Sequence, residues 1–192
     1  MFRSRRRLDE KITIGVVGAG SGVGTTFLSM ALADYFAEYK RKGTTLLEAG
    51  GQRQLGSLCP KEQVFSVGKV CVYPHVQSEE IPQLCNKEQE ITILDLGNDY
   101  KKVRLDFLRC SRKILIGSMA PWKKSEYFRV MDQIQQEENY KQWLRSVILF
   151  GKKEEVRTIM AKYKVVASRM PYMQQPYPSG KEEENFFRRL AE

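Results

Sequence analysis

The segment GVVGAGSGVGTTF places glycines at positions 18, 20, 22 and 24, with Thr25 and Thr26 directly behind them. Alternating glycines let the backbone turn tightly and approach a ligand with no Cβ in the way. A helix opening just after them turns its unpaired N–H groups to the same point, and amides gathered in this way favour a phosphate. The Thr26 hydroxyl at the helix start adds an oxygen of the kind that Mg2+ accepts. Two known patterns compete for the segment. The dinucleotide-binding GxGxxG misses by one position: counted from Gly18 its third glycine falls on Val23, and from Gly20 on Thr25. The phosphate loop GxxxxGK[ST] runs from Ala19 to Thr26, with Ala19 in place of its first glycine and Thr25 in place of its lysine. Only Gly24 and Thr26 meet its strict positions.

Elements must hold these residues in place. ITIGVVG is a continuous apolar run and predicts a buried strand over 12–18. Residues 25–42 predict one helix: Leu28, Ala31, Leu32, Tyr35, Phe36 and Tyr39 recur at helical spacing, and the stretch closes on Lys40, Arg41, Lys42 and then Gly43. Further strands are expected at 44–50, around 70–73, and at 90–98, 113–118, 146–150 and 164–168. Helical patterns cover 103–110, one long stretch over 125–143, then 154–162 and 181–191. Apolar strands alternating with helices predict an α/β fold of three layers, a mostly parallel sheet with helices on both faces. Such sheets bind ligands beyond the carboxyl ends of their strands, which puts residues 18–26, 48–52, 95–98 and 118–124 along one rim.

Composition removes other classes. The 192 residues suffice for one compact core without disulfide or metal staples. No apolar run approaches the ~18–20 residues of a membrane span, and the basic start MFRSRRRLDEKI has no apolar stretch behind it. Cys59, Cys71, Cys85 and Cys110 form no CxxC and read as packing thiols of a reduced, cytosolic protein. His75 is the single histidine; lying in YPHVQ, it reads as a surface or structural residue. The 32 Lys and Arg against 23 Asp and Glu leave a charge of +9, which suits an anionic partner.

The segment GSGVGTTFLSMALADYFA resembles the deviant phosphate loop of the MinD/ParA family of P-loop ATPases, whose form is KGGxGK[ST]T. Gly20 stands where that family carries its signature lysine, followed by Ser21, Gly22, Val23, Gly24, Thr25 and Thr26. LLEAGGQRQLG is similar to the family's strand ending in D-x-D-P-Q, with Glu48 and Gly50 at the acidic positions, Gly51 at the proline and Gln52 at the glutamine. ILDLG is similar to its modified Walker B strand, with Asp95 at the acidic position. The three motifs cover about residues 12–120, and DLG with SMAPW leans towards the TadZ/CpaE-like pilus-localisation branch. The resemblance implies a P-loop NTPase-like fold and ATP or ADP with Mg2+ as the cofactor. The nucleotide would be held by Gly20, Ser21, Gly22, Val23, Gly24, Thr25 and Thr26, and the metal by Thr26, Glu48 and Asp95. It also implies a homodimer.

The departures shape the functional expectation. Both family lysines work on phosphate, and here their positions are Thr25 and Gly20. Losing a buried charged partner costs ~2–5 kcal/mol, about 30-fold to several-thousand-fold in affinity. Glu48 is one methylene longer than the usual Asp, and the Asn that the family often carries after a later strand is missing where SVILF runs into Gly151. The expectation is a pseudo-ATPase with no catalytic residue of its own, binding nucleotide weakly or not at all and acting in localisation or scaffolding. An atypical active Mg2+-ATPase of the same family, with cations recruited from Arg53, Lys123 or Lys124, is the alternative. A small NAD-type oxidoreductase is disfavoured by the failed fingerprint. Expected partners are a second copy and a protein of a localisation or pilus/secretion machinery. The basic surface, Arg3, Arg5, Arg6 and Arg7 with Lys101, Lys102, Arg104, Arg109, Arg112 and Lys113, offers contact with an anionic membrane or DNA. The organisation expected is a basic arm over 1–11, a P-loop domain over 12–170, and a Pro-rich segment with a C-terminal helix over 171–192. The expected location is cytoplasmic, with peripheral contact at the inner membrane face.

Overall fold

Strands with apolar residues at every position need cover on both faces, and the helices between them supply it. The computed structural model describes residues 11–87 and 89–191; the arginines at 3–7 lie outside the described residues. An eight-stranded sheet forms from β1 (Ile12–Gly18), β2 (Thr44–Glu48), β3 (Phe65–Val67), β4 (Val70–Tyr73), β5 (Ile91–Asp95), β6 (Arg112–Ser118), β7 (Leu144–Leu149) and β8 (Val166–Arg169). Its order is β3-β4-β2-β5-β1-β6-β7-β8, and every pairing is parallel except β3 with β4. This is the three-layer α/β arrangement expected of a P-loop NTPase-like chain.

The two-residue side-chain period sorts the core into two layers. Ile14, Val16, Leu46, Ile93 and Ile116 pack on the face covered by α1 (Thr25–Asp34) and α7 (Lys181–Ala191). Val17, Leu47, Leu94, Leu115 and Ile148 face α3 (Tyr100–Arg109), α4 (Lys124–Ile134) and α6 (Lys153–Tyr163). The apolar stripe of α7 docks on its own chain: Phe187 is fully buried and stacks on Tyr35 at 5.7 Å.

Several elements differ from the sequence reading. Helix α1 widens into a π-helical turn over Tyr35–Tyr39, and the left-handed residue that follows is Arg41, at φ 52°, ahead of the expected closing glycine, Gly43. The stretch 125–143 is not one helix. No apolar residue lies between Ile134 and Tyr140 to hold it to the sheet, and Asn139 at φ 57° separates α4 from α5 (Tyr140–Trp143). The chain also forms β3 and α2 (Ile81–Cys85), both too short for a periodicity to show. Gly68 at φ 57° supplies the two-residue turn between β3 and β4.

Candidate functional site

β1 ends at Gly18, whose N–H donates to the Gly97 carbonyl at 2.7 Å, and the Ala19 N–H donates to Ile116 at 2.8 Å. These two bonds fix the loop mouth against β5 and β6. Beyond them, among the described residues, no backbone N–H of residues 20–27 has a protein partner in ordinary hydrogen-bond geometry. Gly22 and Gly24 take left-handed conformations, φ 71° and 77°, and nothing lies within 4 Å of the place where a Gly22 side chain would stand. The sequence therefore builds a cradle of amides at the N-terminus of α1, open to solvent over Ser21 and Gly22. Val23 and Thr25 turn inward. Thr25 is buried, and a Cβ at Gly18 would overlap its hydroxyl, so position 25 holds a short neutral side chain packed against the strand end.

Thr26 and Asp95 come together: the Thr26 hydroxyl donates to Asp95 Oδ2 at 2.5 Å, and the Gly97 N–H donates to Oδ1 at 3.1 Å. Asp95 does not cap the helix that follows; Asp99 does, accepting from the Lys102 N–H at 3.3 Å. Burial pushes the Asp95 carboxyl above its ordinary value, against the hydrogen bonds from Thr26 and Gly97, and the nearby Glu48 adds to the rise. A carboxyl whose folded-state value is raised holds its charge at a net penalty above that value, and the penalty vanishes below the ordinary one. Asp95→Asn is thus expected to stabilise the ligand-free protein at neutral pH. Urea unfolding checks this, and the gain should disappear at acidic pH.

Glu48 sits beside Asp95 across β2 and β5. Its carboxylate accepts from the Leu55 N–H at 2.9 Å and the Gly56 N–H at 3.3 Å, and His75 Nδ1 lies 3.9 Å away. The His75 ring fills the space beside Gly56, and its backbone is left-handed at φ 61°. Glu48 and His75 open on a cavity of about 420 Å³ that Arg53 and Lys102 also line. Nothing in the sequence marked Leu55, Gly56 and His75 as partners of Glu48, since they reach it from two separate segments. Among the described residues no group of three or more His, Cys, Asp or Glu side chains is arranged to hold a metal ion.

The expected cations are partly committed elsewhere. Lys123 pairs with Glu126 at 3.3 Å. Arg104 grips Glu137 through two bonds of 2.5 and 2.6 Å, Arg109 lies 3.6 Å from Asp106, and Lys113 is buried with its ammonium over the Trp143 ring. Lys101 and Lys102 remain exposed at the start of α3. Trp122 and Phe150 are 77% and 82% exposed on the loops after β6 and β7, and Phe150 holds a left-handed φ of 52°. Among the described residues no helix is long and apolar enough to cross a membrane.

Neither a protein-family profile nor a curated protein sequence matches the chain. Solved structures do. The chain is similar to MinD in the MinC:MinD cell division complex of Aquifex aeolicus, with a TM-score of 0.67 at 15% identity over 94% of this chain and 95% of that one. It is similar to a plasmid partition protein of Borrelia burgdorferi bound to AMPPNP, at 0.67 and 9% identity over 95% and 98%. It is also similar to the septum site-determining protein MinD of Pyrococcus horikoshii complexed with Mg-ADP, at 0.65 and 12% identity over 94% of both chains. At these identities the likeness is one of fold.

Proposed function

We propose that this chain is a MinD/ParA-like protein with a degenerate phosphate loop, which binds a nucleotide weakly and does not turn it over at a useful rate. One observation carries the reading: residues 20–27 present amides with no protein partner, while Thr25 packs inward and offers no ammonium. The amides and the helix N-terminus fit a phosphate. Charge developing on a transferred phosphoryl group would meet little fixed positive charge, so binding outlasts catalysis. The similar folds that hold AMPPNP and Mg-ADP support a nucleotide as the ligand.

Gly20, Ser21, Gly22, Val23, Gly24, Thr25 and Thr26 would surround the phosphates. Thr26 would face the Mg2+ directly and Asp95 would hold the Thr26 hydroxyl in place. Glu48, with its oxygens on the Leu55 and Gly56 amides, orders the β2 loop more than it meets a metal. A bound Mg2+ would neutralise phosphate charge. The biological output we assign is localisation or scaffolding, in the manner of the TadZ/CpaE-like branch. Nucleotide shared between two copies, or recognised by a protein partner, would favour the assembled state by mass action. Similarity to a MinD seen in complex with MinC supports a protein partner.

Isothermal titration with Mg2+–ADP tests the reading. Weak saturable binding is expected, with Thr26→Ala lowering Mg2+-dependent affinity about tenfold, as for a lost hydrogen bond to a charged group. Absence of binding at millimolar nucleotide would remove the nucleotide reading. Turnover abolished by Thr26→Ala would instead establish the active ATPase.

A further inference from the structure

The two ends of the loop meet different surroundings. Leu149 lies 3.8 Å from the place of a Gly24 side chain, and the exposed aromatic Phe150 follows it. At the other end, a Cβ on Gly20 would overlap the Glu126 carboxylate. Glu126 is held there by its place in the first turn of α4, where the helix dipole favours an acid, and by Lys123 at 3.3 Å. It borders a cavity of about 470 Å³ that extends from Gly20 and Ser21 to Lys101 and Arg129. The aromatic end suits a flat base, so a phosphate chain lying along the amides would direct its terminal group to the Gly20 end. The charges lining that end are balanced: Lys101 and Arg129 face Glu126 and Asp99. Of these, Glu126 stands against the loop backbone itself.

We infer that Glu126 sets the charge of the accepted ligand, so that the loop takes a nucleoside diphosphate and rejects the corresponding triphosphate. This rests on the phosphate-loop reading above and adds to it the residue that decides selectivity. A third phosphate brings further negative charge to the Glu126 carboxylate, which has Lys123 as its partner. A diphosphate stops short of it. Gly20 is part of the device, because any side chain there would displace the carboxylate.

The test is titration of the whole 192-residue chain with ADP and with ATP at equal free Mg2+, for the native chain, Glu126→Gln and Glu126→Asp. The native chain is expected to bind ADP about tenfold tighter than ATP, the effect of one partly screened like charge at close range. Glu126→Gln should bring the two affinities together by tightening ATP, and Glu126→Asp should keep the preference. Equal affinities in the native chain, or a preference unchanged in Glu126→Gln, would overturn the inference and leave the phosphate-loop reading standing. Failure of every variant to bind either nucleotide would overturn both. Circular dichroism of each variant establishes that the fold is intact, and Glu126→Ala replaces Glu126→Gln if the latter does not fold.

Discussion

Thr25→Lys is expected to tighten Mg2+–ATP binding by about 30-fold to several-thousand-fold, the reverse of the ~2–5 kcal/mol lost with a buried charged partner. The amide cradle is already built: residues 20–27 have no protein partner for their N–H groups, and Gly22 and Gly24 hold the left-handed turns that aim them. What position 25 lacks is charge. Its side chain lies at the loop mouth, against Gly18. Isothermal titration measures the gain. Thr25→Met, of similar reach and no charge, separates electrostatics from packing and should leave affinity where it was. If Thr25→Lys folds and gains nothing, the segment is a strand-to-helix turn retained for packing, and the nucleotide reading goes with it.

The second large effect concerns the contact behind the loop. Gly50, after β2, and Gly97, after β5, approach so closely that a Cβ on Gly50 would overlap the backbone of Gly97 and Leu96. That backbone cannot swing aside as a side chain would. The Gly97 N–H holds Asp95, and the Gly97 carbonyl holds Gly18 at the loop mouth. Gly50→Ala is expected to cost more than about 4 kcal/mol, in the range reserved for backbone disruption. Gly22→Ala makes the same change at a solvent-facing position with φ 71° and open space around it. There only left-handed strain applies, about 1–2 kcal/mol. Urea unfolding of both variants decides the matter, and equal losses would show that the two rim loops do not depend on their contact.

Several features were legible in the sequence because they depend on neighbours along the chain. The strand at Ile12–Gly18, the start of the helix at Thr25 and the strand ending in Asp95 follow from unbroken apolar runs, from helical spacing and from glycines placed between them. Asp95 and Thr26 were paired as metal-side residues through the motif, and the structure puts them in hydrogen-bond contact at 2.5 Å. Short elements were not legible. β3 has three residues and α2 five, fewer than a period needs to declare itself. The break at Asn139 lay in polar residues whose helical spacing continued without anything to pack against.

The sequence by itself determined the chemistry on offer: a glycine-spaced loop, a hydroxyl behind it, two acids further along the chain, and no lysine at position 20 or 25. Those are properties of residue type and spacing. Only the tertiary structure decided where the charges stand. It placed the Glu126 carboxylate against Gly20, turned the Glu48 oxygens to the Leu55 and Gly56 amides, and committed Arg104 and Lys113 to partners within the chain. The reason is range. An amide cradle is made by one contiguous stretch, whereas electrostatic balance at a site depends on charges that the sheet order brings together from segments about a hundred residues apart, as Gly20 and Glu126 are.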